Sequence, residues 1–137
     1  MHLSAPPLLS MACHCTGCQR MTGGAYSLSL AIPTEGFAVT QRKPVIGGLH
    51  GATRHYFCDH CLSWIFTRPE GLDFFVNVRA TMLDDASWVV PFVETWMKEA
   101  LPNVVSGATH SFETLPPNEA FKGLMEDYAR RGVRPRA

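Results

Sequence analysis

Several features that would place this chain at once are missing. No apolar run approaches the ~20 residues of a membrane span, and no repeat or low-complexity linker divides the 137 residues. Twelve basic and twelve acidic side chains cancel, which leaves no cationic surface for phosphate binding and sets nucleic-acid partners aside. The one basic stretch, "ARRGVRPRA" from Ala129, reads as a solvated terminus. No Lys or Arg precedes Arg20, and Pro6 and Pro7 interrupt the start, so a secretory signal is not expected. Ser10 stands where a lipoprotein-type cleavage before Cys13 would want a large apolar residue. Cysteine is scarce and odd in number, five in all. The expected compartment is the reducing cytoplasm, where clustered thiols are metal ligands or reactive groups rather than disulfides. A single domain over 1–137 is expected, large enough to bury a core without cross-links.

What is present is mostly β. "AYSLSLAI" from Ala25 alternates and stops at Pro33, a half-buried strand, and "FAVTQ" from Phe37 reads as a second. "TRHYFC" from Thr53 and "WIFTR" from Trp64 flank Cys58 and Cys61, so that pair should cap a hairpin. "DFFVNVRATM" from Asp73 is rich in β-branched and aromatic residues, the strongest strand signal. "WVVPFVETWM" from Trp88 is broken by Pro91 and reads as an edge strand or extended loop. Only "PPNEAFKGLMEDYARR" has helical spacing, with Asn118 as cap and Phe121, Leu124, Met125 and Tyr128 as a packing stripe. The fold class is mainly β, short antiparallel strands with a C-terminal helix.

"CHCTGC" places Cys13, Cys15 and Cys18 within six residues. A C-x-x-C turn lets two sulfurs reach one ion at ~2.3 Å, and the preceding C-x adds a third. Three thiolates on a divalent ion leave a charge near minus one and an open fourth position, the mark of a catalytic rather than a closed structural zinc. A thiol entering that position loses its proton more readily and becomes a nucleophile. His14 lies inside the motif, but its neighbours hold the ligand places. Two assignments stay open on spacing alone. In one, Cys15, Cys18, Cys58 and Cys61 close around a single ribbon-type ion, with Cys13 spare. In the other, Cys13, Cys15 and Cys18 hold one ion while Cys58 and Cys61 belong to a second.

"ACHCTGCQRMTGGAYS", "TRHYFCDHCLSWIF" and "VNVRATMLDDASWVVP" resemble, in order and spacing, the glutathione-dependent formaldehyde-activating enzyme family, over roughly Ala12 to Trp96. The resemblance implies a zinc-binding β-tent fold. It implies a catalytic Zn2+ on Cys13, Cys15 and Cys18, and a structural ion on Cys58 and Cys61 together with an upstream C-x-C-G. No C-x-C-G precedes Cys13, so the second ion is two ligands short. A chain that begins late is the expectation, with His60, His55 or His2 as makeshift ligands or the pair left as free thiols. A one-metal variant is the alternative.

The implied activity is that of a carbon–sulfur lyase which, read backwards, joins glutathione to formaldehyde as S-hydroxymethylglutathione. Glutathione carries two carboxylates, so cations or free N–H groups are wanted nearby. Arg20 is the first candidate clamp, followed by Arg54 and Arg79. Thr22, Gly23 and Gly24 could offer N–H groups or simply turn the chain. Asp84 and Asp85 should shape a turn with Trp88 packed behind it, and Trp64 and Trp96 should be core or pocket wall. A different class of function is a non-catalytic zinc-stapled module, carrying glutathione or docking a protein, because fold alone does not certify activity. A cationic cleft beside a three-cysteine ion would favour the enzyme, and a sealed four-ligand ion the staple.

Overall fold

A computed structural model describes residues 1–135. Among these the strands are β1 (His2–Leu3), β2 (Leu9–Cys13), β3 (Ser27–Pro33), β4 (Phe37–Ala38), β5 (Val45–Gly47), β6 (Arg54–Phe57), β7 (Trp64–Arg68), β8 (Phe75–Arg79), β9 (Val93–Thr95) and β10 (His110–Ser111). The helices are α1 (Thr16–Thr22) and α2 (Phe121–Arg131). Eight strands form one sheet in the order β10-β9-β2-β3-β8-β7-β6-β5, and β1 pairs with β4 in a small second sheet. The expected class, mainly β with a C-terminal helix, is the one that forms. No described helix is long and apolar enough to cross a membrane.

The centre of the large sheet is an antiparallel run through β2, β3, β8 and β7, with Leu30 opposite Val78 and Val78 opposite Phe66. Alternation sends its side chains to two cores. On one face Leu9, Ala31, Phe75, Phe92 and Val93 pack against Leu124 and Tyr128 of α2, with Phe121 and Met125 at the margin. The helical stripe is therefore a packing face. On the other, Leu30, Ile32, Phe66, Val76 and Val78 are covered by Leu3, Phe37, Tyr56 and Trp88.

Two readings change. The second strand shrinks to Phe37–Ala38. The "WVVPFVETWM" segment is not at the edge, because β9 lies between β2 and β10 and runs parallel to both. Pro91 falls two residues outside it and costs no ladder bond, while the buried Ser10 hydroxyl accepts the Phe92 N–H at 3.1 Å. The basic tail is largely exposed, as expected of a solvated terminus, yet its side chains are anchored. Arg130 and Arg131 pair with Asp127. Arg134 donates to the Pro7 carbonyl at 2.7 Å, and its guanidinium lies 4.5 Å from the Tyr128 ring centroid. The last two residues of that stretch lie outside the described ones.

Candidate metal centre

β2 ends at Cys13, and the chain turns directly into α1, a seven-residue helix with no helical signal in its sequence. Cys15 is its N-cap, with extended backbone, and its sulfur accepts the Cys18 N–H at 3.3 Å. The thiol thereby does the work of the usual Ser or Asp cap. The helix is clamped from the segment after β9. The Glu99 carboxylate accepts from the Thr16 N–H (2.9 Å) and hydroxyl (2.8 Å). The Gln19 amide donates to the His14 and Glu99 carbonyls. These contacts, more than helix propensity, hold so short a helix in place.

The result brings Cys13, Cys15 and Cys18 together, with sulfurs all within 4.8 Å of one another. Sulfurs bound at ~2.3 Å to one tetrahedral ion stand about 3.8 Å apart, so this donor set fits a soft divalent metal such as zinc. Cys15 and Cys18 are buried and Cys13 half-buried. Trp64 packs against the pair, with Phe57, Met21 and Trp96 around them. Hydrogen bonds from Cys15 and Cys18 pull the Cys13 thiol down to about 3. The contacts with Cys13 and Cys15, with burial, push Cys18 up. Cys13 gives up its proton readily, and Cys18 holds its own until a cation replaces it.

All five cysteines are free thiols. The single ribbon-type ion does not form, because the one cluster of three potential ligands among the described residues leaves out Cys58 and Cys61. That pair caps the β6–β7 hairpin as expected. The His60 N–H points to the Cys58 sulfur at 3.4 Å, the Leu62 N–H bonds the Cys58 carbonyl, and Leu62 is left-handed at φ 60°. Of the makeshift ligands, His55 has both ring nitrogens engaged, by His50 and Thr67. His2 shares a cavity of about 560 Å³ with Cys58, Cys61, Arg42 and Asp84.

The remaining candidates scatter. Arg20 sits exposed on α1 and makes no ion pair among the described residues. Arg54 is exposed on β6, next in sequence to the buried His55 and so on the opposite face of the strand. The Gly23 N–H bonds the Gln19 carbonyl in a left-handed C-cap, and the Gly24 N–H bonds the Thr22 hydroxyl. These amides are used inside the turn. Asp85 accepts from the Ser87 N–H and hydroxyl, closing the expected turn, and Trp88 packs on the second core. His14 is fully buried, against Tyr26 and 3.3 Å from the Glu94 carboxylate, away from the thiol trio.

Arg79 is the cation that matters most. It is 7 % exposed, its guanidinium lies 4.0 Å from the Trp64 ring centroid, and its Nε has no hydrogen-bond partner. Burial lowers it to about 10, against the pull of charge on Cys18 and Cys13. His50, absent from the expected set, reaches the Cys15 sulfur through Nε2 at 3.3 Å. It lies in the "GGLHGAT" turn, whose glycines advertise a loop and nothing more.

A mainly β protein that gathers three thiols at one strand end, with an arginine buried beside them, has a cysteine cluster that could hold a metal ion. The family model for glutathione-dependent formaldehyde-activating enzymes matches residues 1–99, and the chain belongs to that family. The matched span holds the trio, the Cys58–Cys61 hairpin, Arg79 and the Glu99 clamp. No curated protein matches the chain.

Proposed function

We propose that the chain, as one domain over 1–137, is a zinc-dependent carbon–sulfur lyase that joins glutathione, or a related thiol, to formaldehyde. The observation that carries this reading is the convergence of three free sulfurs within 4.8 Å, inside the family-matched span. In the addition, the thiolate sulfur attacks the carbonyl carbon, the C=O electron pair moves to oxygen, and that oxygen takes a proton to give S-hydroxymethylglutathione. The lyase direction reverses each step. Zinc held by Cys13, Cys15 and Cys18 would supply a Lewis acid that favours the ionised form of the entering thiol. Arg79 balances the negative charge of the thiolate set from a water-poor position, where a charge counts for more. Trp64, Phe57 and Trp96 keep water from the sulfurs. Arg20, exposed on α1, is the group we assign to a glutathione carboxylate. The reading places the chain in the cytoplasm, where glutathione is present.

A non-catalytic zinc module remains the second reading. It is favoured by one observation: the 560 Å³ cavity opens against Cys58 and Cys61 rather than over the trio.

The test is zinc stoichiometry and glutathione binding in Cys15→Ser, alongside exchange of labelled formaldehyde with glutathione in the wild type. Zinc content and glutathione binding should fall together while the fold persists. Normal zinc retention in the variant removes the metal centre. Zinc loss without any effect on exchange leaves the staple.

A further inference from the structure

His50 and His55 form a chain that no motif anticipated. The Trp64 indole Nε1 lies 3.0 Å from the Thr67 hydroxyl. That hydroxyl lies 2.7 Å from His55 Nδ1, and His55 Nε2 lies 2.7 Å from His50 Nδ1. His50 Nε2 then lies 3.3 Å from the Cys15 sulfur. An indole N–H can only donate, and a metal-bound thiolate can only accept. With both ends fixed, the direction of every link follows. Trp64 donates to Thr67, Thr67 to His55, His55 to His50, and His50 to the sulfur. The opposite order would leave the Thr67 proton without an acceptor and would need a proton on Cys15.

Two glycines make room for the rings. A Cβ on Gly17, within α1, would stand 2.4 Å from His50 Nε2, and one on Gly48 would stand 2.3 Å from a His55 ring carbon. His55 is buried and packs edge-on against Trp64 at 5.0 Å, which fixes its plane. His50 therefore approaches the helix backbone with its Nε2–H aimed at one sulfur. It touches Cys15 alone and is not among the ligand atoms that all lie within 4.8 Å of one another.

We propose that His50, aimed through His55 and Thr67 by Trp64, is a positioning residue that donates an outer hydrogen bond to Cys15 and strengthens the metal site. This rests on the trio being the metal centre proposed above. Three thiolates in a dry, aromatic-walled site carry excess negative charge, and hydrogen-bond donors relieve it without taking a ligand place. Cys15 receives two such donors, the Cys18 amide and His50. Outer donors of this kind typically hold 10- to 100-fold in metal affinity.

The experiment uses the full chain and cobalt(II), read by its thiolate charge-transfer band and by competition with a chromophoric chelator. His50→Ala should bind cobalt 10- to 100-fold more weakly, with band intensity per bound ion unchanged. His50→Gln, which keeps an N–H donor, should recover most of the loss. Gly17→Ala should displace the ring and match His50→Ala, and the double variant should be no weaker than either single one. Wild-type affinity in both His50→Ala and Gly17→Ala overturns the proposal. So does a ligand-field spectrum in His50→Ala that reports a lost nitrogen ligand, which would make His50 a direct ligand. Absence of the charge-transfer band in the wild-type chain overturns the metal centre itself, so the two failures are told apart.

Discussion

Arg79→Met should act with opposite signs in the metal-free and metal-loaded chains. The side chain is buried, and its fall to about 10 is caused first by burial. That fall corresponds to about 3 kcal/mol against the charged form. The face of Trp64 at 4.0 Å returns up to about 2 kcal/mol in so desolvated a place. A methionine of similar length fills the space and leaves no orphaned Nε. In the metal-free chain the variant should therefore lie within about 1 kcal/mol of wild type, and on the stable side. Cys18 keeps its proton in the metal-free trio and loses it when a divalent ion binds, and the guanidinium that this charge stabilises first is then a missing counter-charge. A unit pair in contact at an effective dielectric near 20 is worth about 4 kcal/mol, and roughly half of that at this remove. Metal affinity should drop about thirtyfold. Urea unfolding of the chelator-treated chain and cobalt competition on the same preparations measure both halves. A metal-free variant weaker by more than about 3 kcal/mol, or one with undiminished affinity, would falsify this account of Arg79.

His55 provides a pH signature. Its pKa is lowered from 6.5 to about 4 by burial first, then by the charges of His50 and Arg79. The folded state thus favours the neutral ring. The stability it contributes is complete above about pH 6.5 and is lost as pH falls through about 4, at most about 1.4 kcal/mol per pH unit. Urea midpoints of the metal-free chain between pH 7 and 4 should show this decline, and His55→Asn should flatten it; an unchanged slope in the variant assigns the effect elsewhere. Leu124→Ala, in the core beneath α2, should cost about 2–5 kcal/mol of stability. Its cobalt spectrum should be unchanged at 25 °C, since the trio belongs to a separate cluster. Parallel loss of both signals would show that the two cores unfold as one with the site.

Legibility differed sharply between elements. β3, β7 and β8 were plain because each satisfies a local rule, alternation or β-branched and aromatic enrichment bounded by turns. The α2 stripe was equally plain, since four apolar residues at helical spacing need a partner face. α1 was invisible. Its seven residues contain a glycine and two threonines, and it exists because Glu99 and Gln19 hold its first turn. β9 was misplaced at an edge because Pro91 looked like an interruption. Its partner strand β2 lies 82 positions away, where Ser10 receives the Phe92 N–H.

The trio was legible as one of two candidate groupings because ligand spacing is a property of a short loop. C-x-C-x-x-C constrains three sulfurs within one turn of chain whatever surrounds it. The cations and donors around it obey no such constraint. Arg54 and Arg79 are indistinguishable as letters, yet strand phase turns one to solvent and buries the other over Trp64. His50 and His55 gain meaning only when β6 and β7 pair and the glycine-rich turn folds onto α1. Sequence alone placed three sulfurs within reach of one another, because bonded neighbours decide their reach, and the structure showed that Cys58 and Cys61 stay out of that cluster. Tertiary structure alone decided which charge and which N–H face them, because those groups arrive from strands far apart in the chain, and only packing sets their distance.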